Sequence, residues 1–401
     1  MPPLSRIACL DLDTFFVSVE RLLSPDLVGE PVIVGGGPGR RGVVTSASYE
    51  VRAFGVRSGM SMGEATRLAP DAICVTTRHG VYGPYAAQVR AILDRWCPVV
   101  QTASIDEFFL DFRGCEGMYR TPTDRDDEAT IERVVRQLRE AIQSEVGLPA
   151  SVGIGSTRPV AKMASGKAKP AGVLLVSAGR EVAFAGALPV RKFPGIGPVA
   201  EEKLVAAGIT TLADLLPVRP AIEASFARVA AAVRAALMPT ETTVLGRDQL
   251  AFHEYDPEGA TGTLSNERTF ARDVRDVRLL EDQLRALSER VAWRVRQRGC
   301  VARTVELKIR RADFTNRLRS RTVPATQIEG RVYQVVRALF HEEWSGQAIR
   351  LLGVGLSNLV TQPAQLALPL GSQAPQAHTA IDGVRAKFGY DAIRLGALAK
   401  R

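Results

Sequence analysis

The stretch "VVQTASIDEFFLDF", Val99 to Phe112, sets two adjacent acids, Asp106 and Glu107, inside an apolar and β-branched run. Burying a carboxylate without a cation or a donor network is costly. In a regular strand the two side chains also point to opposite faces. Two readings are therefore open: an amphipathic edge strand with one acid in solvent, or a tight turn at Ser104–Glu107 that brings both acids to one place. A third acid bears on the choice. "RIACLDLD", Arg6 to Asp13, reads as a strand with Ile7, Cys9, Asp11 and Asp13 on one face. Asp11, Asp106 and Glu107 on adjacent strands would make a hard, oxygen-only site suited to Mg²⁺. Such a site makes sense if a polyphosphate shares the metals. Two Mg²⁺ offset the carboxylate and phosphate charges and clamp the attacking and leaving oxygens in line.

The bulk properties limit what such a site can serve. At 401 residues the chain exceeds one ordinary core, so about two to four domains are expected. Hydrophobic residues at 46% and charged ones at 24% are ordinary for a soluble protein. No apolar run approaches the roughly 20 residues of a membrane span, and "MPPLSRIACLDLD" lacks the pattern of a secretory signal. Cysteines 9, 74, 97, 115 and 300 are scattered, odd in number and never in a C-x-x-C pair. That places the chain in a reducing cytoplasm and argues against disulfides or structural zinc. The net charge is +9, and Ser265 to Ala325 holds 16 Lys+Arg against 8 Asp+Glu. So concentrated an excess fits a polyanion, nucleic acid first, or else a solvated arginine-rich helix.

Along the chain, "EPVIVGGGPGRRGVVTSAS" reads as strand, glycine turn and strand. Its "GPGRRG", Gly37 to Gly42, satisfies G-x-G-x-x-G, but β-branched residues follow where a dinucleotide fold needs a helix. The nicotinamide and flavin reading is rejected. "IERVVRQLREAIQSEVG" places Ile131, Val134, Leu138, Ile142 and Val146 on one helical face and leads into the strand "ASVGIG". Residues 188–239 read as helical with short breaks, and 240–262 as a linker. A long helix around Leu279–Arg298 and the strand "RTVELKIRRADF" follow. The chain then ends in a polar, Pro-containing tail. No repeat of solenoid length recurs.

At this point the sequence resembles the Y-family (translesion) DNA polymerases of the DNA polymerase IV type. The matching blocks are "DLDTFFVSVE", "SASYEVRAFGVRSGM", "SIDEFFLDF", "GIGSTRPVAKMASGKAKPAGV", "FPGIGPVAEEKLVAAGITTLADL", "SNERTFARDV" and "TVELKIRRADFTNRLRSRTVP", in family order from about Ile7 to Val360. The resemblance implies an α/β, right-hand polymerase. Its palm would take residues 1–14 and 75–172, its fingers 15–74 and its helical thumb 173–240. A linker would follow at 241–263, then a little finger at 264–360 and a tail at 361–401. It implies that Asp11, Asp106 and Glu107 are the metal-binding carboxylates of a site for two Mg²⁺. The Leu12 backbone carbonyl adds a ligand, and Asp13 has a supporting role. By the same resemblance Phe16 is the steric gate against ribonucleotides, with Phe15 a core aromatic. Tyr49, Arg52 and Lys169 grip the incoming dNTP, Lys162 supports the palm and Ser104 orients the carboxylates.

Gly195 and Gly197 would offer backbone amides of a helix–hairpin–helix to a DNA phosphate. Arg268, Arg310 and Arg319 fall in the basic little finger and are candidate DNA contacts. "QLALPL" resembles a peptide that docks on the ring-shaped sliding clamp, with Gln365 as polar anchor and Leu366, Leu368 and Leu370 as apolar ones. The implied partners are primer–template DNA, dNTP and that clamp, bound by a monomer in the bacterial cytoplasm, with no membrane. The implied reaction is low-fidelity, template-directed synthesis across damaged DNA, with no room for a proofreading exonuclease. A non-catalytic DNA-binding adaptor and a palm-like nucleotidyl cyclase are the rival readings. Thr157–Arg158 and Leu264 depart from the family pattern, at positions expected to bear on DNA contact rather than on the carboxylates.

Overall fold

A computed structural model describes residues 6–37, 41–240, 262–361 and 374–393. The chain divides into two compact units, Met1–Tyr255 and Asp256–Arg401. Twelve strands are present among the described residues: β1 Ile7–Leu12, β2 Val32–Gly35, β3 Val44–Ala47, β4 Ile73–Thr76, β5 Val99–Thr102, β6 Glu107–Asp111, β7 Ala150–Gly155, β8 Val173–Leu175, β9 Leu264–Val274, β10 Cys300–Arg311, β11 Asn316–Thr326 and β12 Ile349–Thr361.

In the first unit a five-stranded sheet, ordered β5-β6-β1-β7-β8, forms the palm. β1 lies at its centre and is buried at every position except Asp11, in keeping with its apolar residues Ile7–Leu10 and Leu12. The helices Tyr82–Trp96 and Asp127–Val146 cover one face. Val89, Leu93, Ile131, Val134, Leu138 and Ile142 pack there against Leu10, Phe108 and Val152. The helix Asp127–Val146 starts on an Asp126 side chain that accepts from Ala129 N, and it stops at Gly147 with φ 77°.

The helix Arg158–Ala168 covers the other face, and one residue sets how closely it can approach. A Cβ built on Gly153 of β7 would stand 2.1 Å from both the Ala161 carbonyl oxygen and Ser165 N. Only a glycine lets the helix lie flat on the strand there. Gly153→Ala is therefore expected to destabilise the first unit by roughly 1–3 kcal/mol or more through overpacking, read as a lower melting temperature.

A three-stranded sheet, β3-β2-β4, forms the fingers. β2 and β3 are the hairpin expected around the glycines. Two domain edges move. β4 pairs in parallel with β2, so a palm beginning at residue 75 would cut a fingers strand. β8 pairs with β7, so a thumb beginning at 173 would take a palm strand. Hydrogen-bonding partners, which lie far off in sequence, decide both edges. The thumb is helical, and Val160, Met163 and Ala164 of the palm helix are part of its core.

The second unit is a four-stranded sheet, ordered β11-β10-β12-β9, with the helices Val277–Gln297 and Glu329–Glu343 on one face. The tail expected at 361–401 carries a further element. A helix spans Ala374–Phe388 and docks on the helix Val277–Gln297. A buried Arg385–Glu289 ion pair and an Arg296–Asp382 bond of 2.7 Å hold it, and the Tyr390 ring lies 5.0 Å from that of Trp293. No helix among the described residues is long and apolar enough to cross a membrane.

Candidate active site

The opening stretch is a hairpin, β5 and β6, whose turn carries the acids. Ala103 N and Ser104 N both donate to the Glu107 carbonyl (2.9 and 3.2 Å), which closes the turn. Leu12 N donates to the Asp106 carbonyl at 2.9 Å, which fastens the turn to the end of β1. On the neighbouring strand Asp11 lies directly opposite Glu107, and facing residues of a ladder project from the same side of a sheet. The three acids are thus brought to one end of the central strand pair. The turn reading is the one the fold adopts.

Each carboxylate has its own partner. Lys169 forms an ion pair with Asp11, and Lys162 Nζ donates to both oxygens of Glu107 at 2.7 and 2.6 Å. Ser104 Oγ donates to Asp106. With these partners in place, no group of three acids arranged as metal ligands occurs among the described residues. The donor chemistry still suits a hard divalent cation: oxygen only, two carboxylates facing across a ladder and a third in the adjoining turn. Burial pushes the Asp11 carboxyl above its ordinary value, Lys169 works against that shift, and Asp106 and Glu107 add to it. Such concentrated negative charge is what a divalent ion offsets.

Asp13 is buried, and its hydrogen bonds reach further than the sequence reading went. Only 1% exposed, it accepts from Ser151 Oγ (3.0 and 2.8 Å), Tyr49 OH (3.1 Å) and Ala171 N (2.7 Å). One carboxylate thereby joins palm, fingers and the segment that carries Lys169. Tyr49 and Arg52 share one turn of helix, started by the Ser48 side chain. The Arg52 guanidinium lies 5.0 Å over the Tyr49 ring, and its Nε donates to the Ala47 carbonyl at 3.0 Å. Burial and Asp13 both push the Tyr49 hydroxyl up, so it remains a donor.

After β1 the chain turns sharply at Thr14, with φ 44°, into the helix Phe15–Leu23. Phe15 is core, as expected. Phe16 is half-buried, and its ring meets that of Tyr82 edge to face at 4.4 Å. Tyr82 OH donates to the buried Glu20 carboxylate at 2.7 Å, so the surface behind Phe16 is fixed.

Three residues were not assigned these contacts from sequence: Lys162 as the partner of Glu107, Asp13 as a junction, and Tyr82 behind Phe16. A signal existed for Lys162, which lies about two helical turns before Lys169, the residue that ends the helix Arg158–Ala168. The departures at Thr157–Arg158 prove internal rather than DNA-facing. Thr157 Oγ1 donates to the Ala236 carbonyl (3.1 Å), and the Arg158 guanidinium lies 4.0 Å over the Phe109 ring, both residues being buried. Leu264 belongs to the core of the second unit.

Gly195 has φ 96°, and no atom lies within 4 Å of a Cβ built on it or on Gly197, which precedes the helix Pro198–Ala206. The element before this hairpin is one 3₁₀ turn, Val190–Lys192, shorter than a helix–hairpin–helix implies. In the second unit the register separates the candidate arginines. Arg310 lies on the open face of the sheet with Lys308, Glu306 and Glu267. Arg268 faces Leu352, and Arg319 faces Leu307, both core residues, so these two arginines lie on the helix-packed side of the edge strands. Gln365, Leu366, Leu368 and Leu370 lie outside the described residues.

A palm sheet with acids at the end of its central strands, small fingers, a helical thumb and an added α/β domain define a right-hand polymerase. Residues 10–166 match the impB/mucB/samB family, and 262–368 match the C-terminal domain of that family. DNA polymerase IV of Dehalococcoides mccartyi strain CBDB1 is 34% identical over 395 residues, covering 98% of this chain and 97% of the relative. DNA polymerase IV of Caulobacter vibrioides is likewise 34% identical, covering 98% and 94%. Among solved structures, a Y-family DNA polymerase chimera of Dbh and Dpo4 gives a TM-score of 0.73 at 23% identity, covering 89% of this chain and 99% of that one. The chain belongs to the impB/mucB/samB family, the Y-family DNA-directed DNA polymerases of the DNA polymerase IV type.

Proposed function

We propose that the protein extends a primer on a DNA template by adding dNTPs to the 3′-OH, with low fidelity and across damaged bases. The observation that carries this reading is Asp11 facing Glu107 across β1 and β6, with the Asp106 turn fastened to Leu12. Two Mg²⁺ held by Asp11, Asp106, Glu107 and the Leu12 carbonyl supply, when bound, Lewis-acid stabilisation of the charge on the transferring phosphate. The chain's own residues do the positioning. Lys162 and Lys169 hold the carboxylates, and Lys169 and Arg52 present cations to the triphosphate, with Tyr49 beside Arg52 as the third residue of that grip. Phe16 stands against the sugar, where a 2′-OH would clash. Gly195, Gly197 and the basic second unit take the DNA backbone, so affinity should be salt-dependent and tolerant of sequence.

Primer extension by the purified protein with Mg²⁺ and dNTPs, on intact and lesion-bearing templates, tests this. Extension past the lesion is the expected result. A protein that binds the primer–template and leaves it unextended is the adaptor instead, and a product formed without DNA would indicate the cyclase.

The clamp contact is tested separately. Deleting Gln365–Leu370 should abolish stimulation by the sliding clamp and leave basal extension within about twofold. Internal deletion is the right form of the experiment, because truncation after Thr361 also removes Arg385 and leaves Glu289 buried without its cation.

A further inference from the structure

The helix Glu329–Glu343 ends on two acids, although the C-terminal end of a helix favours cations. Both acids are engaged by arginines. Glu343, 11% exposed, pairs with Arg311 (3.3 Å), Arg317 (3.3 Å) and Arg319 (2.5 Å), and Glu342 pairs with Arg321 at 2.7 Å. Arg317, Arg319 and Arg321 alternate along edge strand β11 opposite Ile309, Leu307 and Val305, so they form one row. Successive members are about 6.7 Å apart, and each is roughly half exposed. The centre of the open face of the sheet is balanced by comparison, with Lys308 bonded to Glu267 at 2.8 Å and Glu306 close by. The cations are therefore concentrated at the edge, where two glutamates already hold them.

We propose that Glu342 and Glu343 are resident counter-anions of this arginine row, and that backbone phosphates of DNA take their place on binding. This rests on the polymerase reading and deepens it: the glutamates set how tightly, and how salt-dependently, the second unit holds DNA. A row of guanidiniums at regular spacing on an exposed edge suits a sequence-independent polyanion. When a phosphate replaces a glutamate, the freed carboxylate takes up a cation from solution. This subtracts from the counterion release that drives binding.

Fluorescence anisotropy of primer–template binding against NaCl concentration, with full-length protein, tests the proposal. Glu343→Gln should tighten binding roughly three- to tenfold at low salt and steepen the log–log salt slope by about one. Arg319→Ala should weaken binding and flatten the slope, and in that background Glu343→Gln should have a much smaller effect. Glu342→Gln, on an exposed carboxylate, repeats the test at Arg321 should Glu343→Gln fail to fold. Unchanged or weaker binding by folded Glu343→Gln or Glu342→Gln overturns the proposal, as does an Arg319→Ala variant that binds DNA like wild type. Wild-type extension on the same preparation keeps the two readings apart. A protein that extends primers with no response to Glu343 refutes only the counter-anion role, whereas one that neither binds nor extends refutes the polymerase.

Discussion

Asp106→Ala should reduce primer extension by roughly a thousandfold or more while leaving primer–template affinity within a few-fold. The size follows from what is lost. A carboxylate that holds a divalent ion supports several kcal/mol of charge stabilisation on the transferring phosphate, and each 1.36 kcal/mol is about a factor of ten in rate. The selectivity of the effect follows from the turn. Asp106 is half-buried, among the described residues its side chain accepts from the neighbouring Ser104 alone, and the link to β1 runs through its backbone carbonyl. Removing the side chain therefore breaks no buried network. Asp13→Ala is the contrast, since it leaves Tyr49 OH, Ser151 Oγ and Ala171 N without their acceptor and should lower stability as well as activity. Single-turnover extension, DNA anisotropy and thermal melting on both variants check the split. A melting temperature that collapses in Asp106→Ala would recast that acid as structural.

Phe16→Ala should relax sugar selectivity by about a hundredfold or more, roughly 2.7 kcal/mol of discrimination. Phe16 opens the helix just beyond the acids, and its ring rests edge-on against Tyr82, whose hydroxyl is fixed by Glu20. If Phe16 is the gate, this support keeps its ring from yielding to a 2′-OH, and removing the ring removes the clash. Only half-buried, Phe16 contributes less to the core than Phe15, so the variant should fold. The measurement is the ratio of kcat/KM for a dNTP and its matching rNTP. An unchanged ratio in a folded variant would assign the gate to another residue.

The acid turn was legible because charge inside a β-branched run is costly unless something compensates it, and Asp11 at the end of a second strand supplied the rest of the pattern. The helix Asp127–Val146 was legible from its apolar spacing. The partners that complete the site were harder to read. Lys162 reaches Glu107, and Asp13 reaches Ser151, only because Gly153 lets a helix settle on β7 and because β1 lies between β6 and β7. Nothing local records that geometry. The basic segment was visible as composition, but the side of the sheet each arginine occupies depends on register. A one-residue step separates Arg310 on the open face from the row on the other side. The helix Ala374–Phe388 was missed because buried ion pairs such as Arg385–Glu289 hold it, rather than a strong apolar stripe.

The claim on which all of this depends is that acids from separate segments together hold divalent ions beside a nucleotide. Counting bound Mn²⁺ by electron paramagnetic resonance, on protein with a 3′-dideoxy primer–template and the next dNTP, tests it most directly. Two Mn²⁺ per protein, with at least one lost in Asp106→Ala, is the result predicted. The same count in wild type and Asp106→Ala, or none above that of dNTP alone, would contradict it.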